Sequence, residues 1–439
     1  MNQTLRLRDL AWPIFVENFL AKAIGMVNIY LLSRYNNEAI AAIGVSNQLL
    51  FIINILFIFV TLGTAVVVSQ NIGAGNYAHA VSASTIAIIL NLVIGITVGV
   101  VVFLFHRTFL TTMGLTGQVL DYASVYFRIL GGLCFLQGLN FSLGTIMRNY
   151  GQARAPMMVF LGMNVLNLIG NTIIILRPFG LPDFGIGGVA TWTIFSQFAG
   201  AVVMVLSALR YKISFRLEKP FPFAGIREIL RIGIPGAGDI FAFSVMLLFM
   251  TSFVASMGTT AMTSYAYAMN LIALVQLLGY SVGQSSQILV GRLIGAKEFD
   301  EAYKLGFRGL RIAMILNLSC MAVLMIFQRP ILHVLGANEE IMSILFWCFL
   351  IDVGIEIGRP LNLVIGYCVR GAGDVKWSII VSTASILFVC IPLGYLFTHN
   401  LSLGVAGAFL ALLVDEWLRG LLITWRWRSR KWERAAVVP

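Results

Sequence analysis

The chain has 439 residues, of which 59% are apolar and only 11% charged, and its mean hydropathy is +0.89. That balance excludes a soluble globular domain and a disordered chain, and marks a protein embedded in lipid. The net charge of +11 could suggest a nucleic-acid partner, but its placement between the apolar runs excludes one.

A helix needs about 20 apolar residues to cross the hydrocarbon core. Twelve such stretches can be read, at 10–33, 45–70, 83–105, 122–147, 156–176, 185–209, 229–256, 266–290, 307–327, 341–366, 377–397 and 402–425. The first contains Pro13, Glu17, Lys22 and Asn28 and has no convincing cleavage site, so it reads as a retained span. Span two ends in the glycine-rich turn Ile72–Asn76, which no Lys-Ser/Thr follows, so it is not a phosphate loop. Span four closes on Arg148–Arg154, R-N-Y-G-Q-A-R. Span five presents Asn164, Asn167 and Asn171, and span six opens with the small residues Gly185, Gly187 and Gly188, which permit close helix packing. Residues 210–232 combine six cations with Phe215, Phe221, Phe223, Pro220 and Pro222, and read as a cytoplasmic linker with a partly amphipathic interfacial helix. The second half repeats the plan and adds intramembrane charge at Asp239, Asp352, Glu356, Arg359, Asp415, Glu416 and Arg419.

The halves are copies. Arg148-x-x-Gly151-x-x-Arg154 returns as Arg370-x-x-Gly373-x-x-Lys376, 222 positions later. The same offset pairs Pro13 with Pro235, Glu17 with Asp239, Ile72-Gly73-Ala74 with Ile294-Gly295-Ala296, and Asn140 with Asn362. A shift of three residues then aligns Gly185 and Gly188 with Gly404 and Gly407. Corresponding spans lie six apart and cross in the same direction, so the repeats are parallel, related by an axis along the membrane normal. The expected architecture is an all-α polytopic membrane protein of 12 transmembrane helices: an amino-terminal lobe 1–209, a linker 210–228, a carboxy-terminal lobe 229–425 and a basic cytoplasmic tail 426–439. Two lobes about such an axis leave a central cavity suited to alternating access, whereas a channel would repeat a pore element.

Lys and Arg collect in alternate loops, including Arg6 and Arg8, the 210–232 stretch, Arg292–Arg311 and the tail, while the intervening loops hold only Arg34, Arg107, Arg128, Arg177 and Arg329. This positive-inside bias places both termini in the cytoplasm and the chain in the inner (cytoplasmic) membrane. The basic balance therefore reads as a lipid-facing charge set. The five cysteines fall in or beside apolar runs and the four histidines in loops or at span ends, so neither a disulfide framework nor a buried metal centre is expected.

The layout resembles the multidrug and toxic compound extrusion (MATE) transporters, of the bacterial DinF-like kind within the MOP superfamily. The resemblance covers nearly the whole chain. It rests on the early prolines of spans one and seven, the segment Glu38-Ala39-Ile40-Ala41-Ala42-Ile43-Gly44, the motif Arg370-Gly371-Ala372-Gly373-Asp374-Val375-Lys376 and the opening of span six. It implies secondary export of amphipathic, often cationic compounds driven by inward proton or sodium flow, with no other cofactor. It also implies a cation site of two aspartates and an asparagine on spans one and five. The matching positions here are Asn28, Asn167 and Asn171. Amides take up no proton in the physiological range and bind sodium more weakly than carboxylates, which puts that site in doubt or moves the coupling elsewhere.

An ionisable group in hydrocarbon is a functional candidate by default. Asp352, Glu356 and Arg359, at i, i+4 and i+7, share one face of span ten, either as a coupling site or as a pair that positions helices. Asp415 and Arg419 on span twelve, also at i and i+4, read as a structural pair or as groups solvated at the interface, in preference to a coupling site. Glu17 and Asp239 occupy symmetric positions, and Asp239 has no cation on its own helix, which favours proton exchange from a cleft; the alternative is a wetted helix end. Arg148 and Arg370, with Gly151, Gly373 and Asp374, read either as a cytoplasmic gate or as headgroup anchors and helix caps, and the second reading is favoured. The 31 Phe and 17 Met suit a pliant ligand pocket and equally suit lipid contact.

The expected protein is thus a monomeric exporter with a small-molecule substrate, its coupling leaning to protons. The nearest alternatives are a lipid-linked oligosaccharide flippase of the same superfamily and a narrow-specificity metabolite exporter. No nucleophile–base pair, HExxH or G-x-S-x-G is present to suggest an enzyme.

Overall fold

The structure is a computed structural model that describes residues 5–33, 37–177, 182, 184–218 and 223–437, with backbone alone over 28–33 and at 37. Long apolar runs form long helices, α1 with Pro13 inside it: α1 (Leu7–Ser33), α2 (Asn37–Gly73), α3 (Tyr77–Thr112), α4 (Gly117–Gly132), α5 (Phe135–Asn149), α6 (Arg154–Leu176) and α7 (Gly185–Arg210). The second half supplies α8 (Phe223–Ala255), α9 (Thr259–Gly295), α10 (Phe299–Val334), α11 (Glu339–Gly371), α12 (Val375–Ser385), α13 (Ile391–Tyr395) and α14 (Gly404–Arg428).

Ten described segments are long and apolar enough to span, and α4 with α5 makes an eleventh, bent by 45°. The twelfth is α14, 25 residues whose apolar run is interrupted by Asp415, Glu416 and Arg419. Large apolar side chains such as Phe103, Ile326 and Phe388 face outward, as a lipid solvent allows.

Two expected spans differ in detail. The fourth is two helices, because Gly131-Gly132 weakens the ladder just before Cys134, whose thiol turns to the Gly95 carbonyl at 3.3 Å. The eleventh runs through π-turns at Ile386–Cys390 and Leu396–Asn400 around α13, where Pro392 removes a backbone donor.

The chain divides into two compact units that do not follow the expected boundaries at 209 and 229. The amino unit comprises Val16–Val68 and Asn76–Ile234, and the carboxy unit Met1–Phe15, Ser69–Gly75 and Pro235–Pro439. The reason is packing at the first turns of α1 and α8. In the carboxy unit Leu7 and Ala11 pack on Val282, Ala313 and Val364. In the amino unit, 222 positions on, Ile229 and Gly233 close on α2, where a Cβ at Gly63 or Gly233 would overlap a facing carbonyl. Both changes of unit fall beside the early prolines, Pro13 and Pro235.

The end of α2 crosses α9 within the carboxy unit at another duplicated pair. A Cβ on Gly73 would overlap the Arg292 carbonyl, and a Cβ on Gly295 the Gln70 carbonyl. Gln70 Nε2 also donates to the Gly371 carbonyl at 2.9 Å.

The linker is shorter than expected. Residues 213–218 have no regular secondary structure, and from Phe223 the chain is already α8. His79 lies between Glu218 and Glu228, 3.2 Å from each, and Ser82 Oγ accepts from the Glu218 amide at 3.3 Å. The basic tail packs as well. Trp432 is fully buried, stacks on Trp427 at 4.2 Å and donates to the Trp427 carbonyl, while the Val437 amide donates to Gln70.

Candidate functional site

Both copies of the repeated motif end a helix in the same way. Gly151 and Gly373 have φ of 84° and 93°, a left-handed turn that favours glycine. Gln152 N donates to the Met147 carbonyl and Asp374 N to Val369, so each turn closes with the same long bond. The arginine three residues earlier is held on the last helical turn.

Those arginines are paired with the symmetric acids. Arg148 Nη1 donates to both Glu17 carboxylate oxygens, at 2.9 and 3.0 Å, and Arg370 Nη1 donates to Asp239 at 2.8 Å. Each pair bridges 131 residues within its own unit. Asp239, expected to have no cation on its own helix, finds one on another: its partner comes from α11. Arg148 and Arg370, expected as headgroup anchors and helix caps or as a gate, each point to a carboxylate. Arg370 also sits 4.4 Å over the Tyr367 ring, and Asp374 accepts from Arg426 at 2.6 Å.

The expected cation positions of the amino lobe divide. The side chain of Asn28 lies outside the described residues. Asn171 donates to Asn167 at 3.1 Å, and Asn167 donates to Thr193 at 3.0 Å, forming an uncharged chain between α6 and α7.

The carboxy unit holds the concentrated charge. Asp352, Glu356 and Arg359 share a face of α11, where Arg359 hydrogen-bonds Glu356 and lies 3.6 Å from Asp352. Arg359 also lies 3.7 Å from Glu416 of α14. Arg419 contacts Glu416 at 3.2 Å and Asp415 at 2.5 Å. The residues of spans ten and twelve, which the sequence suggested were separate, thus form one network joined at Glu416. Sequence reasoning missed its neutral members: Asn317 donates to Glu356 at 2.7 Å, Asn362 to Glu416 at 2.9 Å, and Ser385 to Asp415 at 2.6 Å. Their signal was a polar side chain inside an apolar run, and for Asn362 also its place opposite Asn140 in the repeat.

Four carboxylates face two guanidinium groups, an excess of two negative charges. Asp352, Glu356 and Asp415 have no exposed surface. Among the described residues, neither carboxylate oxygen of Asp352 has a hydrogen-bond partner. Uncompensated buried charge costs several kcal/mol per ion, so this cluster has the chemistry to take up protons or a monovalent cation.

The duplication supplies an internal comparison. At the same register the amino unit has Leu130, Cys134 and Gln137 for Asp352, Glu356 and Arg359, and Ser196, Gln197 and Gly200 for Asp415, Glu416 and Arg419. One unit is charged where the other is neutral.

Two repeated helical halves, with buried Asp, Glu and Arg side chains in only one among the described residues, define a polytopic membrane protein equipped for solute transport. The MatE family model matches residues 13–173 and again 235–396, reproducing the repeat. The uncharacterized transporter YisQ of Bacillus subtilis (strain 168) is 33% identical over 434 residues, 98% of this chain and 95% of its own. The probable multidrug resistance protein NorM of Thermotoga maritima is 25% identical, with 98% and 94% covered. Among solved structures, the outward-facing conformation of a multidrug resistance MATE family transporter of the MOP superfamily superposes with a TM-score of 0.89 at 19% identity, covering 97% of this chain and 95% of that one. A MOP superfamily transporter from Pyrococcus furiosus Vc1 gives 0.87 at 19% identity, with 97% and 95% covered. The chain belongs to the MatE family, whose members are transporters and not enzymes.

Proposed function

We propose that this protein exports amphipathic, cationic compounds across the cytoplasmic membrane by proton-coupled antiport with alternating access. Both termini lie in the cytoplasm, and the coupling groups are the carboxylates of the carboxy unit. The observation that carries this reading is the excess of two carboxylates in the network of α11 and α14, with Asp352 fully buried and without a hydrogen bond among the described residues. A transported cation and bound protons compete for such a centre by charge balance, which is what exchange requires. Glu17 and Asp239, each held by a motif arginine, serve as lobe-internal ties in this reading.

Ethidium accumulation in inverted vesicles tests it, first under an imposed pH gradient and then under a sodium gradient. Proton-driven accumulation that is lost in Asp352→Asn, with the protein still in the membrane at wild-type yield, supports the proposal. Sodium-driven accumulation would transfer the coupling to a cation. Full activity of Asp352→Asn under a pH gradient would remove this residue from the mechanism.

A further inference from the structure

A groove of about 440 Å³ runs between α6 and α7 in the amino unit. Arg154, Arg210 and Tyr211 line one end, and Met158, Gly162 and Leu166 line its course along α6. The two arginines come together because α6 begins where α7 ends. Both are exposed, and neither has a carboxylate partner among the described residues.

The groove depends on missing side chains. A Cβ at Gly162 would meet nothing within 4 Å, whereas one at Gly200 on α7 would press on Met163, 3.0 Å from its sulfur. The carboxy unit has Ala384 and Arg419 at these positions, and the long Arg419 side chain is buried against its carboxylates. The trough therefore belongs to the unit from which the charge network is absent. From Arg154 to Leu166 the helix rises about 18 Å, enough for one leaflet of a hydrocarbon core about 30 Å thick.

We propose that this trough is a specific site for an anionic phospholipid from the bilayer. The phosphate is received by Arg154 and Arg210 with the Tyr211 hydroxyl beside them, and one acyl chain lies over Gly162 towards Leu166. Paired guanidinium groups match a phosphodiester through several charge-assisted donors. An apolar trough continuing from that headgroup site distinguishes a phospholipid from a soluble anion, and the positive-inside bias places the site in the cytoplasmic leaflet. The inference does not depend on the transported substrate or the coupling ion.

Native mass spectrometry of the intact protein in mild detergent, titrated with phosphatidylglycerol and with phosphatidylcholine, provides the test. The wild type is expected to retain phosphatidylglycerol at least tenfold more tightly than phosphatidylcholine. Arg154→Gln with Arg210→Gln should remove that preference, while Gly162→Leu should weaken phosphatidylglycerol binding about tenfold by filling the trough. Gly162→Leu is a safe second variant, since its Cβ meets open space and leucine favours a helix over glycine. Equal retention of the two lipids by the wild type would overturn the proposal. So would unchanged phosphatidylglycerol binding in Gly162→Leu, or competition by glycerol phosphate as strong as by the lipid.

Discussion

Replacing Arg359 by Gln removes the guanidinium that three carboxylates share: Glu356 by hydrogen bond, Asp352 at 3.6 Å and Glu416 at 3.7 Å. Each contact near 4 Å contributes about 4 kcal/mol of attraction at an effective dielectric of 20, much of it offset by the desolvation of the charges. Removing one member of such a buried set typically costs about 3–5 kcal/mol, because the remaining charges stay buried without a partner. Arg419 cannot substitute, since it is already engaged by Asp415 and Glu416. The expected result for Arg359→Gln is therefore a loss of about 3–5 kcal/mol in unfolding free energy, measured by SDS titration in mixed micelles. The double variant Arg359→Gln/Glu356→Gln restores the wild-type excess of two carboxylates and should recover about half of that loss or more. An Arg359→Gln protein within about 1 kcal/mol of wild type, or a double variant less stable than the single one, would refute the reasoning.

The duplicated pairs should behave alike. Glu17→Gln or Asp239→Asn alone should destabilise by about 1–3 kcal/mol, and removing the matching arginine as well should cost less than the sum of the single losses, as a double-mutant cycle will read. Gly73→Ala and Gly295→Ala, whose Cβ atoms would overlap facing carbonyls, should each cost about 2 kcal/mol or more or lower the yield of folded protein. Gly162→Ala, with open space, should be neutral or stabilising in the same expression and thermal-melt assays. His79 lies in the first turn of α3, ahead of the apolar stretch 83–105, and α3 is about 54 Å long, longer than the hydrocarbon needs. Hydrogen bonding to Glu228 first, then to Glu218 and with the attraction of both, raises its pKa from 6.5 to about 9 against the opposing effect of burial. The stabilisation from this raised pKa is fully present below about pH 6.5 and falls away as pH rises through about 9. Limited proteolysis of the linker should therefore accelerate above about pH 9 in the wild type and already be fast at about pH 7 in His79→Ala. Equal linker cleavage at about pH 7 and about pH 10 in the wild type would remove this clip.

The sequence by itself determined the solvent, the number of spans and the duplication. Those properties depend on the length of apolar runs, on charge placed between them and on residue spacing, all local or periodic quantities. It also located the motif arginines and glycines, because a left-handed helix end favours glycine and the pattern occurs twice. Tertiary structure decided which charges meet. Glu17 finds Arg148, and Asp239 finds Arg370, across 131 residues, a pairing that no helix period encodes. Asp352 and Glu416 enter one network only because α11 and α14 pack together, and Asn317, Asn362 and Ser385 then donate from three helices to Glu356, Glu416 and Asp415. The unit boundaries were likewise a matter of packing: α1 and α8 each run through the point where the chain changes unit, and a continuous apolar helix carries no sign of the partner it will find.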